Sequence, residues 1–261
     1  MSSPDSPLVR VTHARGVTTI TLDSPHNRNA LSQRLMRELL DALAAAGADD
    51  AVRVVVLDHT GPVFCSGADL AETAAAAASG QMPAALLGDV LAAVADCPKP
   101  VVAAVRGPAR AGGLGLIAAA DLAVCDQAAT FAFTEVRLGV VPALISATVL
   151  PRLSPRDAAL YYLTGDVFAG ARAAQMGLVS AAVPGDELDA VVKGWCESLV
   201  RGAPAALATT KQLLRRTPAE TIGAEVAHLS EISLRFFGSP EGREGVAAFR
   251  EKRDPAWIPQ A

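Results

Sequence analysis

The chain has 261 residues, 51% of them hydrophobic but only 4% aromatic, and a formal net charge of −4. That length suits one large domain, or one with an appendage, able to bury roughly 70–75% of its unfolded surface without staples. The acidic balance and the lack of any Lys/Arg run argue against a nucleic-acid surface, and the core must be built from Ala, Val and Leu.

The four cysteines, Cys65, Cys97, Cys125 and Cys196, fit no C-x-x-C zinc or redox spacing and read as buried reduced thiols. Met-Ser-Ser-Pro-Asp-Ser-Pro at the start has neither the basic nor the apolar region of a signal peptide. The uncharged stretch 111–120 is too short and glycine-rich to span a bilayer. A cytoplasmic protein with no membrane partner is expected.

Leu8–His13 and Val17–Leu22 flank Arg15-Gly16 and read as a hairpin. Ser32 is a candidate N-cap for a helix to about Ala46, with Leu35, Leu39, Leu40 and Leu43 on its apolar face and Gly47 as its stop. Val52–Leu57 is a buried-strand signal, followed by the turn Phe64-Cys65-Ser66-Gly67-Ala68-Asp69-Leu70. Residues 71–81 are alanine-rich, a helix or a lid-like loop bordering a pocket. A helix from Pro83 to Ala95 and a strand at Val101–Val105 come next. The pattern continues with a loop at 106–111, a helix from Gly112 to about Ala120, and strands at Leu122–Cys125 and Thr130–Phe133. From Leu144 onward it is mostly helical, over 154–163, 170–176, 186–200, 203–215, 218–236 and 239–249, with one strand at Val179–Val183. Alternating β and α followed by α-rich sequence predicts an α/β core over 1–200 and a helical region over 201–261, not two independent folds.

Four constellations could carry chemistry. Gly113-Leu114-Gly115-Leu116-Ile117-Ala118 matches a dinucleotide-binding G-x-G-x-x-A, but six residues separate the strand from the helix and the nearest acid is Asp121. Ser66 or Cys65 with His59 and Asp58 could make a hydrolase, yet Asp58 and His59 are neighbours on a strand end and Ser66 lacks the G-x-S-x-G context. The remaining histidines lack metal-ligand spacing, so no metal is expected. The third constellation is an oxyanion site. Gly112-Gly113 opens a helix whose first N–H groups lack intrahelical partners, and 64–70 is a second glycine turn that could aim another N–H at the same oxygen. Two unrelated tight turns would look the same. The fourth is Glu135 in Phe131-Ala132-Phe133-Thr134-Glu135-Val136, where burial would raise its pKa and suit it to proton transfer. A plain helix-start glutamate is the other reading.

These segments, taken in order, resemble the crotonase (enoyl-CoA hydratase/isomerase) family. N-R-N-A-L-S at 27–32, F-C-S-G-A-D-L at 64–70, K-P-V-V-A-A-V-R-G at 99–107, A-A-A-D-L-A-V-C at 118–125 and F-x-x-x-E-V-x-L-G-V-V-P at 131–142 carry the likeness. L-T-G-D at 163–166, A-x-x-M-G-L-V at 173–179 and the 239–253 segment complete it. The resemblance implies an α/β spiral of ββα units, a helical C-terminal region that forms homotrimers or hexamers, and an acyl-CoA thioester substrate with no separate cofactor. It places the oxyanion N–H donors on Ser66 and Gly112, and CoA or substrate contacts on Arg28, Ala30, Ala68, Asp69, Leu70, Gly113 and, from a neighbouring subunit, Lys252. Glu135 matches the second of two glutamates that hold water in typical hydratases; Gly115 stands where the first would be. Hydration of a 2-enoyl-CoA is therefore expected of Glu135, with a water or polar residue filling the space at Gly115. Enoyl-CoA Δ-isomerisation by Glu135 alone and non-catalytic acyl-CoA binding are the alternatives. The segments around Gly112 and Glu135 also resemble a subgroup acting on carboxylated enoyl-CoAs of the methylglutaconyl type, for which Arg110 or Arg137 could pair with the substrate carboxylate.

Overall fold

Runs such as Val54-Val55-Val56-Leu57 and Val101-Val102-Ala103-Ala104-Val105 are apolar on both sides of the strand, so both faces of their sheet must be covered. In the computed structural model they are. The structure describes residues 6–69, Glu72 and 84–259. Leu70 and all but Glu72 of the alanine-rich segment lie outside the described residues.

The strands β1 (Val9–Ala14), β2 (Val17–Leu22), β3 (Val54–His59), β4 (Val101–Val105), β6 (Leu122–Asp126) and β9 (Ala181–Val183) form a six-stranded sheet in the order β1-β2-β3-β4-β6-β9. β1 and β2 are the expected antiparallel hairpin; every other pairing is parallel. A second sheet of three short strands joins β5 (Ala109–Arg110), β7 (Thr130–Ala132) and β8 (Phe168–Ala169). Strand pairs followed by helices repeat along the chain, which makes this an α/β crotonase-type fold with a helical C-terminal region.

Val55, Leu57, Val101, Ala103 and Val105 point into the main core. It is closed by α1 (Gln33–Ala48), α2 (Ala84–Asp96) and α3 (Gly112–Ala119). Val54, Val56, Val102, Ala104 and Val124 point the other way, against Leu188 and Cys196 of α7 (Leu188–Leu199). Between these lie α4 (Ala143–Val149), α5 (Pro155–Thr164) and α6 (Gly170–Gln175); α8 (Pro204–Leu213), α9 (Ile222–Phe237) and α10 (Pro240–Glu251) end the chain.

Ser32 caps α1 as expected, its side chain accepting the Leu35 N–H at 3.2 Å. The helix does not stop at Gly47, which continues the helix within 3.3 Å of Pro98 for an added Cβ; it ends at Ala48. The expected loop at 106–111 contains β5, which pairs with β7 through Ala109 and Phe131. A two-residue strand carries no periodicity from which to be read.

Candidate active site

The two glycine turns meet. Cys65 bridges to Ala109 in parallel register, and Arg110 N–H donates to Cys65 O at 3.0 Å. A Cβ on Gly113 would lie 2.8 Å from Cys65 Cβ and 3.1 Å from its carbonyl oxygen. A Cβ on Gly67, whose φ is +95°, would lie 3.1 Å from Ala111 Cβ. Glycine at both places lets the start of α3 lie directly on the 64–68 turn. All eight residues of α3 are buried.

Ser66 cannot be the second oxyanion donor in this arrangement. Its N–H donates to Arg28 O at 3.0 Å and its hydroxyl to Asn27 O at 3.3 Å, so the residue staples the 27–31 loop to the turn. Buried Asn29 holds the same loop, accepting from Ser24 N–H at 2.8 Å and donating to Thr60 O and Val63 O. Leu31 N–H then donates to Gly67 O at 2.8 Å, leaving the Ala68 N–H next in line. The N–H groups of Ala68 and Gly112 have no acceptor among the described residues. Gly112 opens α3, where the unpaired amides and the helix dipole favour negative charge.

Ala111, just before α3, adopts φ +46° and ψ −116°, a backbone conformation costly for any residue with a Cβ. Its strain sits where the chain turns from β5 into the helix and aims the Gly112 N–H.

Glu135 follows the fully buried Phe131 and Phe133 and begins a 3-10 turn, Glu135–Leu138. It is 8% exposed, and its Oε2 is buried without a hydrogen-bond partner. Burial pushes its carboxyl pKa up, a backbone hydrogen bond opposing weakly. The turn is fixed by Gly139 at φ +73° and by Val140 N–H donating to Glu135 O at 3.1 Å.

The space beside Gly115 is apolar. A Cβ there would meet Ile145 Cγ2 at 2.7 Å and Leu91 Cδ2 at 3.1 Å. The expected water or polar residue is not what fills it: Ile145 of α4 and Leu91 of α2 do.

The other expected contacts divide. Ala30 is buried, and the Arg28 carbonyl accepts from Ser66. Asp69 accepts from Glu72 N–H at 3.1 Å and from Asn27 Nδ2 at 3.5 Å. Gly113 faces Cys65. The Arg110 guanidinium donates to Ala109 O, Thr130 O and Thr130 Oγ1. Arg137 donates to Thr164 O and pairs with Asp166 at the surface. Lys252, exposed at φ +55°, caps α10.

Tyr162 and Ile145 were not singled out by sequence. Ile145 falls in the segment that carries the subgroup likeness but was given no role there, and an apolar helix face offers no sign of which side chain looks into a site.

The competing chemistry has no support in the geometry. His59 accepts the Arg106 N–H on Nε2 at 3.1 Å, and Arg106 pairs with Asp58. Burial lowers the His59 pKa and pushes the fully buried Cys65 thiol up to about 12, so neither is a base–nucleophile pair. Among the described residues no three His, Cys, Asp or Glu side chains cluster as a metal site, and no helix is long and apolar enough to cross a membrane.

The spiral of ββα units, with two glycine turns in contact and a buried glutamate carboxyl after β7, defines a crotonase-type protein. The chain belongs to the enoyl-CoA hydratase/isomerase family, whose model matches residues 12–260. A solved enoyl-CoA hydratase from Mycobacterium avium is 43% identical, with 97% of this chain and 99% of that one covered and a TM-score of 0.74. Carnitinyl-CoA dehydratase of Salmonella arizonae is 34% identical over 95% of this chain and 97% of its own. The 4-chlorobenzoyl coenzyme A dehalogenase-2 of an Arthrobacter species is 31% identical over 97% and 94%. Kinship with such enzymes supports catalysis here, while their names carry different reactions on coenzyme A compounds.

Proposed function

We propose that the chain is a 2-enoyl-CoA hydratase in which the Ala68 and Gly112 N–H groups hold the thioester oxygen and Glu135 moves the proton. The buried, unpartnered Oε2 of Glu135, together with the Ala68 and Gly112 N–H groups that have no acceptor among the described residues, carries this reading. Ionised Glu135 takes a proton from water as the water oxygen bonds to the β-carbon. The double-bond electrons shift to an enolate thioester, held by the two N–H donors at about 3–4 kcal/mol each. Protonated Glu135 then gives the proton to the α-carbon, yielding the 3-hydroxyacyl-CoA. Coenzyme A enters as part of the substrate, and the working form is a homotrimer or hexamer to which Lys252 contributes from a neighbour.

The apolar wall at Gly115 favours a second reading, an enoyl-CoA Δ-isomerase in which Glu135 carries a proton between carbons without water. Arg110 and Arg137 are both committed to protein acceptors, which favours an uncharged acyl chain over a carboxylated one of the methylglutaconyl type.

Turnover of enoyl-CoAs of several chain lengths in oxygen-18 water, followed by mass, separates the readings. Heavy oxygen in a hydroxyacyl product is expected. A double-bond shift without mass gain means isomerisation, and binding without turnover means an acyl-CoA carrier. Glu135→Gln should lose turnover and keep CoA affinity; an unaffected rate removes Glu135 from the mechanism.

A further inference from the structure

Among the described residues two buried side-chain atoms lack a hydrogen-bond partner, Glu135 Oε2 and Tyr162 Oη. They lie on neighbouring pieces of chain. α5, which carries Tyr162, packs against the 135–138 turn, and the Tyr162 ring lies 4.5 Å from that of Phe133, two residues before Glu135. We propose that Tyr162 is a hydroxyl-binding residue of the site, its Oη and Glu135 Oε2 together holding a single oxygen, that of water or of a 3-hydroxyacyl chain.

Buried polar atoms are nearly always paired, so two orphans on contacting elements ask for a shared partner. No nearby side chain serves. The Ser146 hydroxyl stands close to the phenol but falls short of a hydrogen bond, and donates instead to Pro142 O at 2.7 Å. Burial pushes the phenol pKa up, the nearby Ser146 hydroxyl opposing and the Glu135 charge adding to it, so Tyr162 keeps its proton and can donate it. A carboxylate accepts. An oxygen between them therefore receives the phenol's hydrogen and gives its own to Glu135. Ile145, which fills the place of a second carboxylate, is on the same helix as Ser146, the hydroxyl nearest the phenol. Tyr162 would then supply the second polar contact that hydration needs, without itself changing protonation.

This inference rests on the hydratase reading, and the test separates the two. Binding of 3-hydroxybutyryl-CoA and of butyryl-CoA is measured by calorimetry on the full chain and on Tyr162→Phe, which keeps the ring against Phe133. The unaltered protein should prefer the hydroxy form by about tenfold, as expected for hydrogen bonds to one buried hydroxyl. Tyr162→Phe should abolish most of that preference while butyryl-CoA affinity stays within about twofold. An unchanged preference, or none in the unaltered protein, overturns the assignment, and so does failure to bind either thioester. Should Tyr162→Phe not fold, Tyr162→Leu is compared in the same way; failure of both to fold also overturns it, by making the residue structural. Uptake of oxygen-18 from water into crotonyl-CoA is followed in parallel. A protein that takes up none loses the hydratase reading, while the binding preference still decides the role of Tyr162.

Discussion

At the scale of single residues, the site sets one carboxyl in apolar surroundings and denies it a second. Burial raises the Glu135 pKa, so the folded state holds this proton more tightly than the unfolded chain does. Between the ordinary value of 4.5 and the raised one, the native state binds more protons, and stability falls as pH rises through that window. Glu135→Gln, which cannot ionise, should therefore raise the melting temperature above the window and make no difference below it. Thermal melts across pH check this; a gain confined to acid pH would reverse the sign. If the carboxylate is the working base, kcat/KM should fall on the acid side at a pH above that of an ordinary glutamate. Gly115→Glu would restore the carboxylate pair typical of hydratases on paper. Its Cβ would lie 2.7 Å from Ile145 Cγ2, so a loss of about 1–3 kcal/mol and no gain in hydration are expected. Adding Ile145→Ala should recover part of the stability, a comparison that urea titrations can make.

At the scale of elements, α3 and the 64–68 turn form a joint whose tightness depends on glycine. Gly113→Ala gains about 1 kcal/mol of helix propensity, but its methyl meets Cys65 Cβ at 2.8 Å and the backbone oxygen at 3.1 Å. The backbone atom cannot swing aside, so a net destabilisation of about 1–3 kcal/mol is expected, with activity falling as the helix start shifts. Ala111→Gly relieves the strain at φ +46° and should stabilise the fold; unchanged denaturation would mean that the neighbours, not the Cβ, set that conformation. Much of this joint was legible in sequence. Both glycine turns and the helix start at Gly112 showed in the sequence, and their meeting, one of two readings left open there, is what the contacts display. The choice between Ser66 and Ala68 did not show there, because it depends on which N–H the distant Arg28 carbonyl removes. The wall at Gly115 was equally hidden: Ile145 and Leu91 come from separate helices, and no local pattern tells which of their apolar side chains reaches a given glycine. The short strands β5 and β8 were missed since two residues carry no period.

At the scale of the whole molecule, the far end of α3 ties the helical C-terminal region to the helix that begins at Gly112. The last carbonyls of that helix and its cap are held by arginines: Arg152 donates to Ala118 O and Ala120 O, and Arg215 to Ala119 O. Cations at this negative end complement the dipole whose positive end is Gly112. Asp121 gathers the connection. It accepts from Val101 N–H at 2.8 Å, from Lys211 Nζ of α8 at 2.7 Å and from Arg215 at 2.9 Å. Lys211 is 7% exposed, and burial lowers its pKa while Asp121 opposes. A buried pair of this kind adds little net stability over an apolar pair of the same shape, but breaking it is costly. Asp121→Ala should therefore destabilise by about 3–5 kcal/mol, leaving Lys211 buried with only the Val94 and Lys99 carbonyls. Lys211→Met in the same chain should return much of that loss, since the uncompensated charge is gone. Activity should follow the stability only in part: Arg215 also loses its carboxylate partner, so the α3 C-terminus loosens in both variants and kcat stays low. A double variant as unstable as Asp121→Ala alone would mean that Lys211 is solvated in place and the C-terminal region is held to the core by something other than this pair.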